Sequence, residues 1–452
     1  MTVSTRPLPG TPREYQFPKF DRRKTNNGIS VITANAEKLP LVTIVAVIDA
    51  TALADAPGKE GTAELTAKAL REGTTRRDGV TLALDLETLG TSIEAGADWD
   101  STIVSMTVLK DRVSQAFEIM AEVLMFPGFR SEDIDRLKAE RLSERIQLLD
   151  EPRGLADESF ARFVYAPGVR YSVPMSGSSA SVSSILREDV ENFYRSNFVP
   201  SAITVIFAGD IMAEETERLV NSGLGSWRGQ RHVTAVNADT PARDTRATEI
   251  VAKQDAAQSE LRIGHVGVPR IHPDYFSIVV MNAVLGGLFS SRINLNLREA
   301  NGYTYGASSY YDWRRQSGPF VISTAVQSEV TAAAIAETLK EIDRMRAEEI
   351  TNDELTLATS YLEGVFPIRY ETTEAIASAL ANLVTFGLPE NYYDTYRANI
   401  ASVTPTDVLE AARVHVKPEQ LQISVVGNPE LIQAPMQELA IGFVSVREPS
   451  ES

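Results

Sequence analysis

Arg298 and Tyr305 stand seven positions apart in the run Leu297-Arg-Glu-Ala-Asn-Gly-Tyr-Thr-Tyr-Gly-Ala-Ser-Ser309. A guanidinium and a phenol both donate hydrogen bonds, so together they suit an oxygen on which negative charge builds as water attacks. Asn301 and Gly302 can adopt the left-handed conformation that ends a helix. Arg298 is therefore expected on the last turns of a helix and Tyr305 on the strand that follows. Spacing alone also allows a structural reading, in which Arg298 pairs with Glu299 or another carboxylate and Tyr305 packs in the core.

Few other residues offer chemistry. The chain has no cysteine, which excludes disulfides, thiolate metal sites and cysteine nucleophiles. Its four histidines, His232, His265, His272 and His415, include no pair one turn apart on an expected helix. His265 lies in an apolar strand and His272 precedes Pro273, so core packing and loop hydrogen bonding account for them. Gly286 and Gly287 lack the lysine of a phosphate loop, and Ser290 and Ser291 read as helix caps. Tyr303, Tyr305, Tyr310, Tyr311 and Trp313 alternate imperfectly and pack on a sheet or line a peptide groove.

The elements that position these groups fall into two halves. Apolar strands at 28–34 and 41–48 are followed by helical periodicity at 61–71, alternation at 92–108, helices at 113–124, 133–149 and 186–196, and a strand at 202–208. The second half runs through similar parts: a strand at 261–266, helices at 275–285 and 291–300, alternation at 303–311 and 320–325, a helix at 331–346 and a strand at 421–427. A unit of roughly 200 residues used twice fits one domain each. We place the domains at 1–236 and 249–452, with the polar stretch 237–248 as linker. Several helices between hairpin-like strands point to two homologous α/β sandwiches of the α+β class.

With 452 residues, 43% hydrophobic and 23% charged, the composition is that of a soluble protein of more than one domain. A net charge of −17 opposes nucleic acid and leaves a preference for basic peptides open. No apolar run of membrane-span length is expected, and residues 1–20 lack the apolar centre of a secretory signal. The expected compartment is the cytoplasm, or the periplasm if the chain is a mature, signal-cleaved form.

From about Gly28 to about Gly442 the chain resembles the M16 family of zinc peptidases, which includes pitrilysin and the mitochondrial processing peptidase. The resemblance rests on Leu285-Gly-Gly-Leu-Phe-Ser-Ser-Arg292, the Leu-Arg-Glu…Gly-Tyr-Thr-Tyr-Gly stretch, Ala358 to Gly364, and Val425-Val-Gly427, in that order. Active members carry H-x-x-E-H on a helix of the first half, where two imidazoles hold zinc and the glutamate activates water. Here that helix reads Gly61-Thr-Ala-Glu-Leu-Thr-Ala-Lys-Ala-Leu70, which puts Glu64, Ala67 and Lys68 at the three chemical positions. The family's third ligand, a carboxylate, corresponds to Glu144 in Arg141-Leu-Ser-Glu-Arg145. An ammonium replaces an imidazole and a methyl replaces the base, so this chain is expected to hold no metal. Glu64 and Lys68 make an ordinary i, i+4 pair of about 0.2–0.5 kcal/mol.

The resemblance also implies roles for Arg298 and Tyr305. In family members or their partner subunits, an arginine and a tyrosine at this spacing hydrogen-bond the substrate carbonyl near the zinc. The chain is thus expected to be a zinc-free subunit, inactive alone, of a zinc metalloendopeptidase complex. Its partner would be an M16 subunit that carries H-x-x-E-H and the zinc. The alternative is a catalytically silent assembly subunit on the same fold.

Overall fold

The computed structural model describes residues 14–230 and 236–449, so His232 lies outside the described residues. Each half builds a six-stranded mixed sheet. In the first, β1 (Phe20–Lys24), β2 (Ser30–Asn35), β3 (Leu41–Ile48), β4 (Glu94–Ala97), β5 (Thr102–Leu109) and β6 (Ile203–Gly209) take the order β1-β2-β6-β3-β5-β4. In the second, β7 (Ala247–Ala252), β8 (Gln258–Val266), β9 (Ala307–Tyr311), β10 (Pro319–Gln327), β11 (Gln422–Gly427) and β12 (Phe443–Arg447) take the order β12-β7-β11-β8-β10-β9. Five strands correspond one for one. The β2/β6 and β7/β11 pairs are parallel, and the next three pairs in each sheet are antiparallel. The outermost strand differs: β1 runs antiparallel to β2, whereas β12 comes from the other end of the chain and runs parallel to β7. The expected repeat and the α+β class are both observed.

β3 reads as an unbroken apolar run because both of its faces are covered. Val42, Ile44 and Ala46 join a core with helix Val113–Met125, while Val45 and Val47 join a core with residues of the second half. The second face is covered by helix Thr373–Phe386, which packs on β3 and β6 and adds Ile376, Ala377 and Leu380 to that core. The exchange is reciprocal. Helix Pro152–Val164 of the first half packs on β8 and β11, with Leu155 and Ala156 clustered with Val251 and Val426. Full burial of such side chains contributes about 1.5–3 kcal/mol each.

Polar ties follow the same crossings. The Thr43 hydroxyl donates to that of Thr373 at 2.8 Å, Arg315 bridges to Asp49 at 2.6 Å, and Arg262, with its side chain 1% exposed, pairs with Asp157 at 2.5 Å. The segment 237–248 is bound to the body. Ala238 is buried and its amide donates to the Gln316 side chain at 2.9 Å, the Ala166 amide donates to the Thr240 carbonyl at 2.8 Å, and β7 already begins at Ala247.

One expectation about apolar runs is corrected. Tyr275–Ala300 is long and apolar enough, by length and composition, to cross a membrane. In the fold it is interrupted by non-helical residues 288–291, and over half of its apolar window is buried against the protein. That is the condition of a core helix.

Arg292 on this element is 5% exposed and grips Glu354 through two bonds, Nε to Oε1 at 2.6 Å and Nη2 to Oε2 at 3.0 Å. Glu354 also accepts from the Thr351 amide at 2.8 Å in a capping box that starts helix Asn352–Arg369. Burial raises the Glu354 carboxyl, but the hydrogen bonds from Arg292 and Thr351 together with the guanidinium charge outweigh it and bring the carboxyl to about 2.

Two outcomes are expected. A depressed folded-state pKa contributes stability that is present above the ordinary value of 4.5 and is lost as pH falls from there toward 2. Glu354→Gln should therefore lower stability by about 2–3 kcal/mol at pH 7 in denaturant titrations and flatten the pH dependence below 4.5. Because each half lends a helix to the other's sheet, fragments 1–236 and 249–452 expressed separately should lack cooperative unfolding and regain it when mixed. Two independent sharp transitions would contradict the exchange.

Candidate functional site

Helix Thr62–Ala69 is anchored at its start by Asp55, which accepts from the Gly61 and Ala63 amides at 2.8 Å each and pairs with Arg170 at 3.0 Å. Burial pushes the Asp55 carboxyl up to about 6 against the pull of Arg170. So held, the helix lies beside β4, the edge strand of the first sheet, and beside helix Ser131–Asp150. Glu64 Oε2 accepts from the Ala97 amide of β4 at 3.2 Å. Lys68 Nζ sits 3.6 Å from Glu64 Oε1 and 3.9 Å from Glu144 Oε1, and Arg141 also donates to Glu144 at 3.0 Å. Ala67 is completely buried.

Glu64, Lys68 and Glu144 thus converge, although Glu144 comes from another helix. The ammonium stands between two carboxylates that would otherwise repel one another, and a dication brought there would meet its charge. Lys68 offers three donors and no lone pair while protonated, Glu64 is engaged with a strand amide, and Ala67 can take no proton. These residues do not fit zinc, and no water-activating step can be written on them.

The second pair lies on the other half. Helical residues 275–287 press against β9 so closely that a Cβ on Gly286 would stand 2.5 Å from Ser309 Oγ. Asn282 fixes the contact, donating to the Ser309 carbonyl at 2.9 Å and accepting from its hydroxyl at 2.7 Å. After the break the chain is helical again over 292–300, and Arg298 lies in its last turn. The end is made by Gly302 at φ +67, whose amide donates to the Arg298 carbonyl at 3.1 Å. Asn301 keeps φ −107 and does not take the left-handed conformation expected as an option.

Arg298 leans over the Phe289 ring, 4.3 Å from guanidinium carbon to ring centre, and its Nη1 is 3.6 Å from Glu299 Oε1. That Nη1 is shielded from solvent yet has no hydrogen-bond acceptor. Tyr305 is 94% exposed. It is not on a strand as expected, because β9 begins at Ala307. The Gly306 amide donates to Thr304 Oγ1 at 3.1 Å, the Thr304 hydroxyl donates back to the Gly306 carbonyl at 2.9 Å, and the Thr324 hydroxyl donates to Thr304 Oγ1 at 3.0 Å. Side-chain bonds thus replace the ladder there and hold Tyr305 on a short loop. Its packing in the core is excluded.

Between the halves lies a cavity of about 820 Å³. Thr43, Val45, Ile103 and Ser105 of the first sheet form one wall, and Ser378, Asn382 and Phe386 of helix Thr373–Phe386 form the other. Glu87, Glu94, Asp98 and Glu374 make its lining acidic.

Among the described histidines, His265 is buried, donates from Nδ1 to the Val266 carbonyl at 2.9 Å and accepts the Lys417 amide on Nε2 at 3.1 Å. Burial lowers its pKa to about 4, so it stays neutral. His272 and His415 meet at Asp274, with His415 Nε2 2.7 Å from Asp274 Oδ2. Nothing local in the sequence signals this cluster, since His415 closes helix Pro405–His415, far along the chain.

Comparison with known proteins gives the family and the fold. A family model described as insulinase (peptidase family M16) matches residues 30–169, and one described as peptidase M16 inactive domain matches 184–362. An uncharacterized zinc protease of Streptomyces coelicolor is 23% identical, over 82% of this chain and 82% of that protein. A non-peptidase homolog of Helicobacter pylori is 22% identical over 81% and 84%. A probable mitochondrial-processing peptidase subunit beta of Schizosaccharomyces pombe is 22% identical over 92% of both. Among solved structures, a peptidase M16 inactive domain from Pseudomonas fluorescens superposes with a TM-score of 0.85 at 22% identity, over 91% of this chain and 98% of that one. With both models matched in order across most of its length, the chain belongs to peptidase family M16, as a member that lacks H-x-x-E-H.

Proposed function

We propose that this protein is the zinc-free subunit of a two-chain M16 peptidase, holding peptide substrate and lending Arg298 and Tyr305 to the zinc site of a partner that carries H-x-x-E-H. The observation that carries the reading is a contrast between the two half-sites. At the first, Lys68 closes the carboxylate pair and Ala67 stands where a base is needed. At the second, a guanidinium keeps a shielded donor without an acceptor, and a phenol projects into solvent from a loop fixed by three side-chain bonds. Unused donors of this kind suit an oxyanion or a peptide carbonyl. Peptide would run through the cavity as an added strand, with main-chain hydrogen bonds for affinity. The acidic lining of the cavity favours basic sequences.

A structural role has one observation in its favour, the stacking of Arg298 on Phe289 beside Glu299. The two readings separate by experiment. The purified chain, with or without added zinc, should cleave no peptide. Co-purification from the native organism should yield a stoichiometric M16 partner with H-x-x-E-H, and the complex should cleave peptides. In that complex Arg298→Ala and Tyr305→Phe should each lower kcat by about 10²–10³, with the assembly intact by size-exclusion chromatography. Full activity in both variants would exclude the catalytic role and leave the assembly role.

A further inference from the structure

Six arginines among the described residues are nearly or fully buried, and five of them face a carboxylate. Arg145 pairs with Glu158, Arg170 with Asp55, Arg262 with Asp157, Arg292 with Glu354 and Arg314 with Asp312. Arg270 is the exception. It is 8% exposed, and its side chain donates one hydrogen bond, from Nη2 to the Tyr392 hydroxyl at 2.6 Å. Otherwise it is surrounded by rings, with its guanidinium carbon 3.6 Å from the centre of Tyr275, 5.0 Å from Tyr392 and 5.9 Å from Phe386. Rings satisfy the faces of a guanidinium and leave the N–H edges in its plane for an acceptor. A cation this deep in a protein is ordinarily matched by an anion.

Arg270 lines a pocket of about 460 Å³ together with Tyr275, Trp313, Tyr370 and Tyr396. That volume lies in the range of small-molecule sites. Arg369 lines it too and is exposed. Asp312, the one acid in the lining, is held by Arg314 at 3.0 Å. The pocket therefore carries an excess of positive charge in a chain whose net charge is −17. Asn382 and Phe386 line both this pocket and the cavity between the halves, so the two adjoin.

We infer that this pocket binds a carboxylate carried on a flat apolar body, with Arg270 engaging the carboxylate edge-on and the surrounding rings stacking on the body. The same chemistry is presented by a free aromatic acid and by the C-terminal residue of a peptide that ends in an aromatic side chain. The inference does not rest on the proposed peptidase complex, because it concerns this chain alone.

The test uses the full chain without a partner. N-acetyl-phenylalanine and N-acetyl-phenylalanine amide are titrated in turn while fluorescence is followed, since Trp313 stacks on Tyr311 at 5.2 Å inside the pocket. The acid should give a saturable change that Trp313→Phe abolishes, and the amide should bind at least ten-fold more weakly. Arg270→Gln should weaken the acid at least ten-fold, with folding checked by its thermal transition. If that variant does not fold, Arg369→Gln at the exposed side of the pocket serves instead, with an expected loss of several-fold. Equal binding of acid and amide, no binding of the acid, or binding unchanged in the folded variant would overturn the inference. Peptides ending in phenylalanine, with free and amidated C-termini, identify the source. Competition by the free-ended peptide alone supports a peptide terminus, and competition by neither, with the acid still bound, supports a free aromatic acid.

Discussion

A sheet with two apolar faces must be covered twice, and in this chain the second cover comes from the other half of the sequence. Helix Thr373–Phe386 lies on β3 and β6, and helix Pro152–Val164 lies on β8 and β11. This reciprocal loan fixes how the halves sit and gives the molecule its central cavity, whose second wall is the loaned helix itself. Ion pairs such as Arg262 with Asp157 and Arg315 with Asp49 then lock a geometry that apolar burial has already chosen. The aromatic pocket, which shares Asn382 and Phe386 of the loaned helix with that cavity, is positioned by the same constraint.

The first half-site illustrates how chemistry can be lost without loss of fold. Two carboxylates, Glu64 and Glu144, are brought together from separate helices and need a cation between them. Lys68 supplies it from the same helix as Glu64. The electrostatic requirement is met locally while the capacity to ligate a metal and to activate water is gone. Glu64 has a further structural task, because its acceptance of the Ala97 amide seats the helix against the edge strand.

How much of this could be read from the sequence depended on whether the signal was local. β3 was legible as an apolar run and helix Thr331–Ala347 by its periodicity over 331–346, and the repeat itself by the order of such signals. β1 escaped notice because Asp21, Arg22, Arg23 and Lys24 give an outer strand no apolar alternation. Helix Gly79–Thr88 was missed because Val80 and Leu84 face solvent and blur its periodicity. The placement of Tyr305 on a strand failed because alternation of Tyr303, Tyr305 and Ala307 mimics a period of two, while the Thr304 hydroxyl takes the amide of Gly306 and keeps this stretch out of the ladder. Lys68 beside Glu64 was legible at i, i+4. The approach of Glu144, the exchange of helices and the rings around Arg270 all depend on contacts between distant segments, which no local pattern encodes.

Arg270 stands against the rule that the other buried arginines obey, and half-buried Arg298 meets its neighbour Glu299 only at 3.6 Å. Five other buried arginines are matched by carboxylates, as the desolvation of a guanidinium demands. A shielded donor without an acceptor, such as Nη1 of Arg298, costs about 1–3 kcal/mol, and each of the two sites holds its cation on rings: Phe289 beneath Arg298, and Tyr275 with Tyr392 around Arg270. Packing alone would be served as well by an apolar side chain of similar size. A cation held by rings, with hydrogen-bonding edges unspent and a cavity or solvent beside it, is an arrangement whose missing term is an anion or a polarised oxygen from outside the chain. In both places the physics points to the same kind of guest, an oxygen carrying negative charge, and both places lie on the half of the molecule that kept its polar equipment.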